Sequence, residues 1–240
     1  MSVFRFRRFS VSNDSSAMKV NTDGVLLGAA MTLLPGDRTL LDIGTGTGVI
    51  ALMAAQRLSD LLPPSCTQLP KIDAIDIDAA SAAEAEANFA ASPWPGWLSA
   101  RHCPLSGYTP VGSIDLIFSN PPYFDNSLRN PDRRESAARH TDSLSWREIC
   151  AFAAEHLTPE GRLALILPAE CETPLRRTAA SFGLYPFRLL RVRSTAAKAP
   201  SRLLAEFSRR REELREETLV LQEGPARTAE FAALTKDFYL

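Results

Sequence analysis

A run of alternating glycines does most to limit what this chain can fold into. Gly44-Thr45-Gly46-Thr47-Gly48 follows an apolar stretch, Thr39 to Ile43, and precedes a helix-forming stretch from Val49 to about Leu58. A strand that enters a glycine-rich turn and leaves it as a helix is a nucleotide-cofactor signature of α/β sheets. Glycine lets the backbone come close to a ligand, and the helix N-terminus favours a negative group. A nicotinamide fingerprint would need Gly-x-Gly-x-x-Gly. Here Val49 stands where the last glycine belongs, and Gly48 comes one position early. No lysine follows, so the turn is not a phosphate-binding P-loop either.

The next strand, Ile72 to Ile77, ends in Asp76 and Asp78. An acid at the end of the strand after the glycine turn can accept from both hydroxyls of a ribose. Asp76 is assigned that role, and Asp78 the N-cap of an alanine-rich helix from Ala79 to Ala91. Between the first helix and this strand lies a proline-containing loop, 59–71, longer than the usual connection. Leu98 to Cys103 reads as a third strand, followed by a loop, Pro104 to Tyr108, near the expected site of an adenine.

The stretch Ile114 to Phe124 carries the chemistry. Ile114, Leu116, Ile117 and Phe118 form a buried strand, and Pro121-Pro122 cannot continue it. The chain therefore leaves the sheet at Asn120, at the strand's C-terminal end, where open α/β sheets bind ligands. An exocyclic amine on a planar ring is a poor nucleophile because its lone pair is delocalised. Two acceptors aimed at its N–H groups help it pyramidalise: the Asn120 amide oxygen and the Pro121 carbonyl. Tyr123 or Phe124 can stack on the ring. Such a site works by positioning and electrostatics and needs no strong base.

The flanks are polar and basic. The loop 125–142 holds Arg129, Arg133, Arg134, Arg139 and His140 among four acids. It either closes on a polyanion or is a solvated loop of mixed charge. Tyr185 to Ser194 and Ser201 to Ser208 read as two antiparallel strands. Alternation puts Arg191 and Arg193 on one face, suited to phosphate contact or to a solvated edge. Residues 4–11 read as a short strand before a turn, and a helix capped by Asn21 or Thr22 runs to about Leu34. Helices are expected over 144–157 and 169–182 with a strand at 161–168 between them, an edge strand at 217–222 and a last helix at 228–239.

Composition restricts the rest. With 240 residues, 45% hydrophobic and 23% charged, the chain reads as one domain over 1–240, with residues 1–36 as a flap and helix and 37–240 as the catalytic sheet-and-helix core. A net charge of −1 excludes a uniformly basic nucleic-acid binder but not a local basic face. Cys66, Cys103, Cys150 and Cys171 are scattered, as in a reduced, cytoplasmic protein. The three histidines lack metal-ligand spacing, so no metal is expected. No apolar run is long enough for a membrane span, and the N-terminus lacks a secretory signal.

Asp42-x-Gly44-x-Gly46-x-Gly48 resembles motif I of the class I methyltransferases that use S-adenosylmethionine (SAM), and Asn120-Pro-Pro-Tyr123 resembles the motif of their amino-group branch. The chain is similar, almost end to end, to the bacterial tRNA1(Val) (adenine-N6) methyltransferases. The matching stretches are Ala17 to Gly28, Leu41 to Gly48, Asn120 to Phe124, Ala138 to Thr141 and Ala233 to Leu240. The resemblance implies a seven-stranded, mostly parallel sheet with helices on both faces and a C-terminal antiparallel hairpin. It implies transfer of a methyl group from SAM to N6 of adenine 37 in valine tRNA, with Lys19, Asp23, Asp42, Gly44, Gly46, Gly48, Asp76 and Asn120 at the cofactor. Asn120, Pro121, Pro122 and Tyr123 form the catalytic motif; Phe124, Arg133, Arg134, Arg139, Arg191 and Arg193 face the tRNA. A monomer is favoured. Leu105 departs from the family pattern, which often places an Asp there for the cofactor's adenine. Other amino groups (rRNA guanine, DNA adenine, protein glutamine) are alternative targets, and a noncatalytic SAM- or RNA-binding module is the alternative of another class.

Overall fold

The computed structural model describes residues 2–16, 18–63, 66–122 and 144–240. A hairpin, β1 (Val3–Arg5) and β2 (Ser10–Ser12), precedes α1 (Thr22–Ala30). Then come β3 (Thr39–Ile43), α2 (Val49–Leu61), β4 (Lys71–Asp76), α3 (Ala79–Ala90), β5 (Leu98–His102) and β6 (Ile114–Ser119). Further along the chain follow α4 (Trp146–His156), β7 (Leu157–Pro168), α5 (Glu172–Ser181), β8 (Tyr185–Thr195), β9 (Arg202–Ser208), β10 (Arg215–Glu223), β11 (Ala226–Arg227) and α6 (Ala229–Thr235).

The main sheet runs β11-β10-β8-β9-β7-β6-β3-β4-β5. β5, β4, β3, β6 and β7 are mutually parallel, and β9 lies antiparallel between β7 and β8. Strands β8-β9-β7-β6-β3-β4-β5 form the expected seven-stranded, mostly parallel sheet with its antiparallel hairpin, and β10 and β11 add two more at one edge. The order reverses between β3 and β6, so their C-terminal ends open the crevice where α/β sheets take ligands. Alternation explains why both faces are covered. Leu40, Leu116, Phe118, Ala164, Ile166 and Leu204 join a core with α1, α2 and α3. Leu41, Ile117, Leu163, Leu165, Leu203 and Phe207 join a second core with α4 and α5.

Several expectations are adjusted. The N-terminal stretch is a two-stranded hairpin, with Phe4 paired to Val11, not one strand. α1 ends at Ala30 instead of Leu34, because tertiary partners claim the groups of its last turn. Thr32 donates its N–H (2.7 Å) and hydroxyl (3.0 Å) to the buried Glu206, and Arg57 donates to the carbonyls of Gly28 and Met31. α2 extends to Leu61 into the expected loop, and β7 begins directly after α4. β7 slips register against β6 between Ile114 and Leu116. At that irregularity a Cβ on Gly161 would lie 2.8 Å from the Ile114 carbonyl oxygen. The very short β11 was not anticipated; only its pairing with β10 defines it.

Candidate active site

The end of β3 delivers the chain into the glycine turn, and the turn is held from below and from the side. Ile75 accepts the N–H groups of Gly44 (2.9 Å) and Thr45 (3.1 Å) through its carbonyl. Thr45 donates its hydroxyl to Asp42 Oδ2 at 2.8 Å. Gly46 donates its N–H to Asp76 Oδ2 at 2.8 Å, and Asp78 donates its own to Asp76 Oδ1 at 2.9 Å. Gly44, Gly46 and Gly48 all have positive φ. At Gly48 the need is doubled, since a Cβ there would sit 2.5 Å from the Phe89 ring. Gly48 therefore serves the close approach of α2 to α3, whereas Gly44 and Gly46 present bare backbone to a hollow.

That hollow has a volume of about 300 Å3. Gly44, Gly46 and Asp76 border it on one side and Asn120 and Pro122 on another. Ile77, Cys103, Pro104, Leu105 and Ser106 close it at the ends of β4 and β5, and Met18, Leu144 and Glu148 also face it. Leu105 thus lines the same hollow as the glycine turn, with Ser106 beside it. A second hollow, about 440 Å3, lies away from the glycine turn, and the Arg188 and Glu217 that line it pair with each other.

Burial shapes the acids here. Asp42 is fully buried, and burial, with the neighbouring Asp76 adding to it, pushes its carboxyl up to about 7 against the bond from Thr45. Its Oδ1 has no hydrogen-bond partner among the described residues. Burial also raises Asp76, opposed by the N–H groups of Asp78 and Gly46. Asp78 shifts the other way, because the Ser81 side chain and N–H donate to it at the N-cap of α3.

β6 ends at Ser119, whose hydroxyl donates to the Ile43 carbonyl at 2.6 Å. This bond ties β6 to β3 at the level of the pocket. Asn120 follows, nearly buried, on the rim. Its Nδ2 donates to the Met18 sulfur at 3.7 Å.

The structure brings together Gly44, Gly46, Asp76, Asn120 and Pro122 around one volume. It puts Asp42 and Gly48 one layer back, under the turn. Lys19 and Asp23 are turned to other partners. Lys19 Nζ donates to the carbonyls of Asn13 (2.6 Å) and Asp14 (2.7 Å), and Asp23 pairs with Arg202 at 2.7 Å. Arg191 pairs with Glu172 (2.7 Å) and Glu216 (3.3 Å), and Arg193 donates to the Ala196 carbonyl at 3.1 Å. Tyr123, Phe124, Arg129, Arg133, Arg134, Arg139 and His140 lie outside the described residues. Met18, Ile77, Glu84 and Asn88 were not singled out from the sequence. A detectable signal was there for the last two: polar residues four apart on an alanine-rich helix share one face. No group of three or more His, Cys, Asp or Glu in metal-binding arrangement occurs among the described residues, and none of their helices is long and apolar enough to cross a membrane.

The model of the methyltransferase small domain matches residues 16–183. A tRNA1(Val) (adenine(37)-N6)-methyltransferase of Parabacteroides distasonis is 42% identical over 99% of this chain and 97% of its own. One of Tolumonas auensis is 41% identical over 99% and 96%. Among solved structures, a predicted O-methyltransferase from Agrobacterium tumefaciens superposes with a TM-score of 0.66 at 14% identity, covering 90% of this chain and 96% of that one. A methyltransferase from Pyrococcus furiosus gives 0.56 at 21% identity, covering 79% and 83%. These last two likenesses concern the fold alone.

Proposed function

The chain belongs to the methyltransferase small domain family and, within it, to the family of the tRNA1(Val) (adenine(37)-N6)-methyltransferases, and on that premise we propose that it methylates N6 of adenine 37, 3′ of the anticodon, in valine tRNA. The observation that carries the proposal is the position of Asn120. It stands at the C-terminal end of the strand beside β3, on the rim of the glycine-bordered hollow.

The residues present suit SAM as the methyl donor. Two glycines offer backbone without side chains, an acid stands at the end of β4, and Ile77 and Leu105 supply apolar walls. SAM, when bound, would supply a methyl group on a positively charged sulfur; as a nucleophile bonds to the methyl carbon, the S–CH3 bond breaks and its electron pair stays with the sulfur, which leaves as a neutral thioether. Gly44 and Gly46 would border its methionine end, and Asp76 would accept from its ribose hydroxyls. Both Asp76 oxygens already take one N–H each, and each keeps a lone pair for this. Asp42 and Gly48 hold the turn, while Lys19 and Asp23 hold the segments around it. Cys103, Ser106 and backbone groups replace the missing acid at position 105.

Asn120 Oδ1 and the Pro121 carbonyl accept the two N–H groups of the adenine amine. As the nitrogen attacks, it loses delocalisation into the ring and gains positive charge, and both acceptors gain strength with it. Pro122 fixes the turn that holds them. The proton then leaves to solvent, so no strong base is required. Tyr123 stacks on the flipped base and Phe124 borders it. Arg133, Arg134 and Arg139 would contact the tRNA backbone, as would Arg191 and Arg193. A tRNA substrate would place the enzyme in the cytoplasm; we read it as a monomer with one domain over 1–240.

The test is transfer of labelled methyl from SAM to unmodified valine tRNA by the purified protein. A transcript with guanine at position 37 should accept none. Equal labelling of both transcripts would reject the site assignment.

A further inference from the structure

Residues 12–16 and 18–20 lie across the glycine turn as a strap, and two side chains of α3 hold the strap down. Glu84, almost fully buried, accepts three successive backbone N–H groups: Asp14 (2.8 Å) and Ser15 (2.9 Å) at Oε1, Ser16 (2.8 Å) at Oε2. One turn further on, Asn88 accepts from Ser12 N–H (2.8 Å) and donates to the carbonyls of Ser12 (3.1 Å) and Thr47 (2.9 Å). The strap is thus bonded to α3, and Asn88 links it in turn to the Thr47 carbonyl of the glycine turn. It closes on itself as well, since Lys19 donates to Asn13 and Asp14, and Val20 donates to Asn13 Oδ1 at 3.0 Å.

What the strap carries is Met18. The Ser16 hydroxyl donates to the Met18 carbonyl at 3.1 Å. That carbonyl and the Ser16 hydroxyl lie 3.5 and 3.4 Å from where a Gly46 Cβ would be. The Met18 side chain borders the hollow, and its sulfur accepts from Asn120 Nδ2. An amide turned by 180° would offer the adenine amine a donor in place of an acceptor. A partner that engages the NH2 end therefore helps choose the productive face.

We propose that Glu84 is a positioning residue for methyl transfer: by fixing the strap it seats Met18 against the Asn120 amide and slows the release of the cofactor beneath. The inference rests on the methyltransferase reading above. The two carboxylate oxygens together accept all three N–H groups, and no neutral side chain of similar size accepts from all three. Among the described residues the hydrogen bonds of Glu84 go to the strap that carries Met18, so their effects on turnover should not be independent.

The experiment is a double-mutant cycle on Glu84→Ala and Met18→Ala, reading single-turnover methylation of valine tRNA at saturating SAM and, separately, the SAM release rate by stopped flow. Each single change should slow methylation about tenfold, and the double should be no slower than the worse single. Glu84→Ala should speed SAM release about tenfold or more, and Glu84→Gln, which keeps one carboxylate-like oxygen with two of the three N–H partners, should fall between. Should Glu84→Ala fail to fold, Glu84→Gln carries the same cycle. Multiplicative losses, or an unchanged SAM release rate, would overturn the inference. A wild-type protein that binds SAM but does not methylate tRNA would reject the functional reading, while the release rates would still decide on the strap.

Discussion

The glycine turn and the arginine-rich edge both stand out in the sequence, and the structure treats them in opposite ways. At the turn, Gly44, Gly46 and Asp76 face a shared hollow, and their supports come from behind. Along β8 and β9, Arg188, Arg191, Arg193 and Arg202 are bound to acids or carbonyls of the chain itself. Arg188 pairs with Glu206 and Glu217, Arg191 with Glu172 and Glu216, Arg202 with Asp23, and Arg210 with Glu160. Arg209 donates to the carbonyls of Ala154 and Leu157, and Arg211 stacks over Tyr185. A glycine pattern constrains the backbone locally and so signals a site directly. A run of arginines signals one only after its partners are known.

The largest effect expected from breaking the pocket side is at Asn120. Asn120→Ala should lower the single-turnover rate by about 10²–10³, the range for one preorganised polar partner, and leave SAM affinity near wild type. Asn120→Asp should be milder. Next comes Gly48→Ala, which forces a positive φ on alanine and drives a Cβ into Phe89. A loss of about 3 kcal/mol is expected in urea unfolding, from strain and overpacking together. Asp76→Ala should weaken SAM binding by about 1–3 kcal/mol in isothermal titration, with NAD binding to neither protein.

The buried Asp42 gives a pH dependence of definite sign. Its folded pKa, about 7, lies above the ordinary carboxylate value, so the folded protein holds the proton more tightly than the unfolded chain. That contribution is complete below about pH 4 and is lost as pH rises through 7. Urea titrations should show the wild type losing about 3 kcal/mol relative to Asp42→Asn between pH 4.5 and 8. An equal slope in both proteins would mean that Asp42 is charged throughout. The smallest effect belongs to the basic edge. Arg191→Ala should cost about 1 kcal/mol of stability or less, through the partly exposed pair with Glu172, and raise the KM for tRNA less than about threefold. A tenfold rise with a flatter salt dependence would show that this face grips phosphates despite its ion pairs.

Much of the fold was legible because its signals are short-range. Asp78 and Asn21 cap their helices as a side-chain acceptor before an apolar run should. The strand ending before Pro121-Pro122 needed only the geometry of proline. What stayed hidden depends on distant partners. α1 stops early because Glu206, far along the chain, takes the Thr32 N–H. Gly48 looked like a cofactor contact, and only the position of Phe89 on α3 shows it to be a packing residue. Glu84 reads from sequence as one more solvated acid on a helix, until three N–H groups of the strap converge on it.

The central claim is methylation at one atom of one nucleotide, and mass spectrometry tests it most directly. Valine tRNA is isolated from cells with the gene, without it, and complemented by the wild type or by Asn120→Ala, then digested and its fragments sequenced by mass. The account predicts N6-methyladenosine at position 37 in cells carrying the wild-type gene, its loss without the gene, and failure of Asn120→Ala to restore it. An unchanged position 37 in cells lacking the gene, or a methyl group lost from a different nucleotide instead, would contradict it.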